Sequence, residues 1–388
     1  MTAIDWLEVA AGLLLVLAAF YDLFRSVVLP RPSINRYVFV RLLFFASWGA
    51  WRWVGRRVQK PARREGWLAS FGPAAVIAMF ATWALAFLLG YAIILDGFSN
   101  QVRPPLTSFG ESLYFSATTI VPLSYGDFVP SGVGARVTIL LESATGVGIA
   151  ALVITLLFSL YAAFQEREEL VVTLDAVAGA PPSGVQLLET TAERGLRSEL
   201  YKTLIDWREW SAAVLESHLA YPILLYFRSS HDNEAWLNSF GAVMDAAVLL
   251  ISTVDEDEEG AARLMFTVGN HLVEDLAWNF GFGASTDPMV DRREFDEAYA
   301  RLKAAGYRCR PEDTAWKFFS KLRTKYASRL SQMGERLAIV PAHWIGDRSY
   351  VPHADGRGRS HKKPKKPIDL SELSRPETSA TAESARTP

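Results

Sequence analysis

Long apolar segments with almost no charge constrain this chain more than any other feature of its sequence. Residues 73–95 contain no charged side chain, and residues 137–164 contain only Glu142. A helix of about 20 residues crosses the roughly 30 Å of hydrocarbon in a bilayer, so both segments are long enough to span one. Inside lipid, a helix satisfies its own backbone hydrogen bonds. The sequence therefore predicts an all-α membrane protein.

The N-terminal region, residues 1–71, adds further membrane segments. Residues 6–29 are predicted to form a third span, retained as an anchor because no small-residue cleavage site follows it. Residues 37–57 are apolar but carry Arg41, Arg52 and three tryptophans, which favours an amphipathic helix at the interface, with a fourth span as the alternative. A basic run is predicted to lie in the cytoplasm by the positive-inside rule: Arg52, Arg56, Arg57, Lys60, Arg63 and Arg64.

The segment between the two main spans, residues 107–130, combines a short amphipathic helix with a polar turn. The helix is predicted over residues 108–120, and Ser108 and Glu111 have the spacing of a capping box at its start. Irregular backbone is tolerated at membrane depth only where protein or a water-filled cavity surrounds it. A re-entrant pore loop meets that condition, and the partial negative charge at the helix C-terminus near Ile120 favours cations.

Over residues 72–165 the chain resembles the potassium channel pore family, in the bacterial form with one pore loop between two transmembrane helices. Residues 112–119 resemble its pore helix, residues 125–127 (Tyr-Gly-Asp) the end of its filter, and residues 134–136 the start of its inner helix. The resemblance implies a homotetramer in a bacterial plasma membrane, with no cofactor other than permeant potassium ions. It assigns the conduction filter, residues 122–127, to Pro122, Leu123, Ser124, Tyr125, Gly126 and Asp127, and the support of the filter to Tyr114, Phe115, Thr118 and Thr119.

Two filter positions depart from the Thr-Val-Gly-Tyr-Gly pattern of that family. Pro122 replaces the threonine, so its hydroxyl and a backbone N–H are lost. Ser124 replaces a glycine whose left-handed backbone turns the carbonyls inward, at a cost of about 1 kcal/mol or more per subunit. The outcomes left open are a less selective filter, a filter held by compensating contacts, and one that does not conduct. The function predicted is thus a potassium-permeable cation channel of relaxed selectivity, and the alternative is a nonconducting membrane scaffold or sensor.

Three residues of the inner span, predicted over 137–164, carry open alternatives. Glu142 is expected to face the protein interior or to extend toward the outer surface. Gly146 and Gly148 are expected to serve either as a gating hinge or as sites of close helix packing. Residues 165–169 are predicted to mark the exit of this helix into water.

The remainder of the chain has the composition of a soluble domain. Residues 166–350 are predicted to form an all-helical cytoplasmic domain, and residues 351–388 a disordered tail too polar to fold. The Gly-Phe-Gly sequence at residues 281–283 is predicted to be a turn and not a second filter. Helices are predicted over residues 185–219, 235–254, 260–280, 292–305 and 314–337.

Composition limits the other functions that can be assigned. The 40 basic and 42 acidic residues nearly balance, so no nucleic-acid partner is predicted, and the partner of the helical domain is left open. A single cysteine, Cys309, excludes an intrachain disulfide. No enzymatic activity is predicted, and a membrane-tethered enzyme within residues 185–345 is the weakest alternative. It would rest on scattered residues that are predicted to be core or surface side chains: His218, His231, His271, Glu274 and Asp275.

Overall fold

The described chain is almost entirely helical. The computed structural model describes residues 2–28, 39–229, 235–255 and 259–345, so the predicted tail over 351–388 and His231 lie outside it. Within these residues the only strands are β1 (Val102–Arg103) and β2 (Val129–Pro130), which pair antiparallel. The prediction of an all-α membrane protein is confirmed.

Three segments of the described chain are long and apolar enough to cross a membrane. The first is helix α1 (Ala3–Leu23), which continues through a π-helical turn to Val28. The second joins α3 (Pro61–Ala69) to α4 (Phe71–Gly97), and the third is α6 (Val133–Ala178). Helix α2 (Phe39–Arg56) does not meet this criterion, so its interfacial location stays a prediction.

Helix α1 packs antiparallel against α4 through glycines. A Cβ on Gly12 would lie 2.5 Å from the carbonyl oxygen of Gly90, and one on Gly97 would lie 2.6 Å from that of Asp5. Small residues of this kind let two membrane helices bring their backbones into contact. The N-terminus of α1 therefore lies beside the C-terminal end of α4, on the side of the pore loop.

The inner helix extends well beyond its predicted end at residue 164. Helix α6 runs without interruption for 46 residues to Ala178, and Gly179 follows it with φ of 82°. Residues 165–178 contain neither glycine nor proline, so nothing in the backbone chemistry stops the helix there. The prediction that residues 165–169 enter water is wrong for Arg167 and Glu168, which are buried against the helical domain.

The helical domain surrounds α9, in which every residue except Asn238 is buried. Two predicted helices are each divided in the structure: 185–219 is interrupted near Gly195, which has φ of 69°, and 314–337 is interrupted at residues 324–326. The domain contains α7 (Gly184–Glu193), α8 (Arg197–Ala220), a 3₁₀ turn (Pro222–Tyr226), α9 (Trp236–Ser252), α10 (Gly260–Phe280), α11 (Arg292–Ala304), α12 (Glu312–Arg323) and α13 (Ala327–Leu337).

Helices α2 and α3 form a hairpin that joins the base of α4 to the helical domain. The rings of Trp51 and Trp67 stack 4.4 Å apart, and the indole N–H of each donates to the backbone carbonyl of the other. Trp48 packs on Phe71 at the start of α4, and its indole N–H donates to the carbonyl of Arg336 in α13 at 2.9 Å. The hairpin, the base of α4 and the helical domain share one hydrophobic core.

Candidate functional site

A short helix, α5 (Phe109–Ile120), lies between α4 and α6 at the predicted position of the pore helix. Ser108 caps its first turn by accepting a hydrogen bond from the backbone N–H of Glu111 at 3.4 Å. The carboxylate of Glu111 accepts from the N–H of Thr107 at 2.6 Å, one residue earlier than a capping box requires. The predicted cap is therefore present in a modified form.

Side chains from both flanking spans hold α5 in place. Ser116 donates to the carboxylate of Glu142 on α6, and its hydroxyl also lies 3.0 Å from the carbonyl oxygen of Leu88 on α4. Ser143 donates to the carbonyl of Thr119 at 3.3 Å. Glu142 is fully buried, so it faces the protein interior, and within the described residues its Oε2 has no hydrogen-bond partner. A buried carboxyl group thus connects the inner helix to the back of the pore helix.

The filter segment follows α5 as an exposed loop with two left-handed residues. Ser124 has φ of 51° and Gly126 has φ of 81°, so the serine adopts the conformation for which the related filters use glycine. The backbone N–H of Leu123 donates to the carbonyl of Thr118 at 2.8 Å, which ties the loop to the end of α5. Every residue from 121 to 127 is exposed in the single chain.

Three of the sequence-predicted residues, Tyr114, Phe115 and Asp127, gather beside the outer end of the filter. The phenol of Tyr114 and the carboxylate of Asp127 lie close to each other. Asp127 accepts from the backbone N–H of Phe128 at 3.2 Å, and the ring of Phe128 lies 6.2 Å from that of Tyr114 and 5.7 Å from that of Phe115. Thr118 and Thr119 are buried, and both of their hydroxyls donate to the carbonyl of Phe115. These aromatic and carboxylate groups brace the loop from the side.

The two glycines considered as a hinge have different surroundings. A Cβ on Gly146 would lie 1.9 Å from the carbonyl oxygen of Ile120, so the inner helix touches the end of the pore helix at this point. No atom lies within 4 Å of a Cβ placed on Gly148, among the residues described. An apolar cavity of about 500 Å³ opens beside this contact, between α4, Pro122 and α6.

Sequence reasoning missed the buried ion pair at the base of α6. The guanidinium of Arg167 contacts Glu168 Oε1 at 3.0 Å and donates to the carbonyls of Leu224 and Phe227 at 3.0 and 2.7 Å. Its Nη1 lies 3.3 Å from Nε2 of His218. The one signal in the sequence was the run free of glycine and proline after residue 164, which allows the helix to carry these charges into the helical domain.

The histidines do not assemble a site with the acidic residues considered beside them. Burial, followed by the positive charge of Arg167, lowers the pKa of His218 to about 3. His271 is exposed on α10, with Nε2 3.2 Å from the carboxylate of Asp275. No group of three or more potential metal ligands occurs within the described ranges.

Two membrane-length helices, a short re-entrant helix between them and an exposed loop with left-handed residues define a membrane protein of the pore-loop class. Residues 76–163 match the family described as "Ion channel", a range that includes most of α4, all of α5, the filter segment and the first two thirds of α6. The resemblance to a channel pore family is therefore confirmed for this segment. No curated protein and no solved structure shows a significant match to the chain.

Proposed function

We propose that four copies of this chain form a potassium-permeable cation channel in the plasma membrane, with the helical domain in the cytoplasm. One observation carries the proposal: residues 121–127 are exposed in the single chain, next to an Ile120 carbonyl that touches α6 at Gly146. Lipid offers no partners to irregular backbone at this depth, so other protein or water must surround the loop. Four copies around one axis would turn the loop carbonyls toward a shared ion path.

Electrostatics supports a cation as the permeant species. The C-terminal end of α5 carries the partial negative charge of the helix dipole at Ile120, directly before the loop. Carbonyl oxygens of the loop would replace the hydration shell of the ion, as they do in related filters. The channel needs no catalytic activity and no cofactor beyond the permeant ion.

A nonconducting membrane scaffold or sensor is the second candidate, favoured by the two altered filter positions. Ser124 holds a left-handed backbone that costs about 1 kcal/mol or more relative to glycine, and a tetramer would bear this cost four times. Pro122 lacks the hydroxyl that lines the innermost site in the related filters. A filter weakened at both positions would be less selective or would not conduct.

The deciding experiment is potassium and sodium flux through the purified full chain in liposomes. Tyr125→Ala serves as the pore-disrupted control, because Tyr125 lies in the loop and its side chain is 67% exposed. Flux that Tyr125→Ala abolishes is the expected result. A folded, tetrameric protein that passes neither ion under any gradient or voltage would establish the scaffold in place of the channel.

The altered filter can be tested separately from conduction. Replacing both residues, Pro122→Thr together with Ser124→Gly, restores the related pattern and should raise the permeability ratio of potassium to sodium. An unchanged ratio in a conducting variant would show that these two residues do not set the selectivity.

A further inference from the structure

The hairpin of α2 and α3 presents a concentrated positive charge without an acidic partner. We call this surface the basic hairpin face; it consists of Arg56, Arg57, Lys60, Arg63 and Arg64. Within the described residues, no carboxylate forms an ion pair with any of the five. The one acidic residue of the hairpin, Glu65, forms an ion pair with Arg228 of the helical domain instead, with 3.0 Å between Glu65 Oε2 and Arg228 Nη2.

This face lies where the chain enters the membrane. Helix α3 ends at Ala69 and the membrane-length α4 begins at Phe71, so a single residue separates the hairpin from the span. Trp53 and Val54 are exposed beside the cations, at 53% and 39%. The guanidinium of Arg57 lies 3.3 Å from the centroid of the Trp53 ring. Exposed tryptophan next to arginine is typical of the headgroup level of a bilayer.

The hairpin holds these cations on a fixed support. The stacked pair Trp51 and Trp67 closes it, and a Cβ on Gly55 would lie only 3.0 Å from Leu68 Cδ2. Arg52 donates to the carbonyl of Glu335 at 3.2 Å, which anchors α2 to α13. Because the backbone is already ordered, a ligand would not have to order it on binding.

We propose that the basic hairpin face binds the headgroups of anionic phospholipids in the leaflet on the side of the helical domain. The positive charge of the face favours an anionic ligand. The exposed side chains of Trp53 and Val54 favour an anion that belongs to a lipid, because they can enter the apolar edge of the bilayer beside the headgroup. The surface lies outside residues 76–163, the segment that matches the channel family, so the lipid proposal does not rest on the proposed conduction. Each basic residue is expected to contribute about fivefold to the binding constant.

The test uses the purified full chain in an uncharged detergent. Phosphatidylglycerol and phosphatidylcholine are titrated separately, and bound lipid is counted by native mass spectrometry. The wild type should retain phosphatidylglycerol in preference to phosphatidylcholine. The triple variant Arg56→Gln, Arg57→Gln and Arg63→Gln should lose roughly a hundredfold in affinity for phosphatidylglycerol. Lysine at the same three positions should preserve most of that affinity.

A matched control removes the same charge from two helices outside the hairpin. Arg293, Lys317 and Lys321 are exposed on α11 and α12, and their replacement by glutamine should leave lipid retention unchanged. Equal retention of the two lipids by the wild type, or an equal loss in the control, would overturn the proposal. Tighter binding of soluble polyglutamate than of phosphatidylglycerol would overturn the choice of lipid as the ligand.

Folding of the triple variant is checked by gel filtration. If it aggregates, the three single glutamine variants replace it, and each should weaken retention about fivefold. Unchanged retention in all three single variants would overturn the proposal as well.

Discussion

Replacing Gly146 with alanine should damage the pore, while the same change at Gly148 should be tolerated. The new Cβ at residue 146 would lie 1.9 Å from the carbonyl oxygen of Ile120, whereas real Cβ atoms essentially never approach another heavy atom closer than 3.0 Å. Both partners are backbone atoms, so no flexible side chain can move aside. The end of α5 or the helix α6 would have to retreat by about 1 Å or more.

The size of the effect follows from this overlap. Overpacking a close contact typically costs about 1–3 kcal/mol. With an unfolding entropy of about 2.1 cal/mol/K per residue, each kcal/mol lowers the melting temperature of a 388-residue chain by roughly 1 °C. Gly146→Ala should therefore melt about 1–4 °C below the wild type, and its altered loop position should reduce ion flux. Gly148→Ala meets no atom and gains helix propensity, so its melting temperature should be unchanged or higher.

The assay combines thermal unfolding of the purified variants with liposome flux. A hinge role for both glycines predicts stable variants with altered gating at both positions, whereas a packing role predicts a loss at Gly146 alone. Equal stability of the two variants would refute the packing explanation, as would a Gly148→Ala variant that is the more damaged of the two.

Three further predictions concern contacts away from the filter. Arg167→Met should lower the free energy of unfolding by about 3–5 kcal/mol, because it leaves the buried carboxylate of Glu168 without its ion-pair partner. Adding Glu168→Gln should recover part of this loss, and an unchanged melting temperature of Arg167→Met would contradict the buried ion pair. Because the pKa of His218 falls from 6.5 in its ordinary state to about 3 in the fold, the unfolded chain gains a proton first as the pH drops below 6.5. The fold should thus lose stability between pH 6.5 and pH 3, and melting scans of His218→Gln should lack this part of the pH dependence. Gly12→Leu should separate α1 from α4 and lower the melting temperature, because its side chain would collide with the backbone of Gly90. An unchanged melting temperature would contradict this helix contact.

The membrane segments could be predicted because their signal is local. Span length and the absence of charge mark residues 73–95 and 137–164 independently of tertiary structure, and α4 and α6 contain both. The position of α5 could be predicted for the same reason, since its cap at Ser108 and its apolar face lie within a dozen residues. The left-handed backbone of Ser124 was expected from the resemblance, since the related filters have glycine at this position.

The rest depends on contacts between distant parts of the chain. A charged run such as residues 165–169 has the same composition whether it enters water or a protein core, so the burial of Arg167 required the position of Leu224 and Phe227. The pairing of Gly12 with Gly90 was equally hidden, because many glycines in apolar helices are compatible with packing. The break at Gly195 was missed because a single glycine between two amphipathic patterns is also tolerated within a helix.

The unbroken α6 connects the base of the molecule and the back of the filter through one continuous helix. At a rise of 1.5 Å per residue, the helix extends about 48 Å from Gly146 to Ala178 and about 20 Å from Gly146 to Val133. If α6 pivots where Gly146 contacts Ile120, a 1° tilt of the helix moves its Ala178 end by about 0.8 Å and its Val133 end by only about 0.3 Å. With that pivot, a displacement at the Ala178 end of the helix would reach the Val133 end as a smaller one.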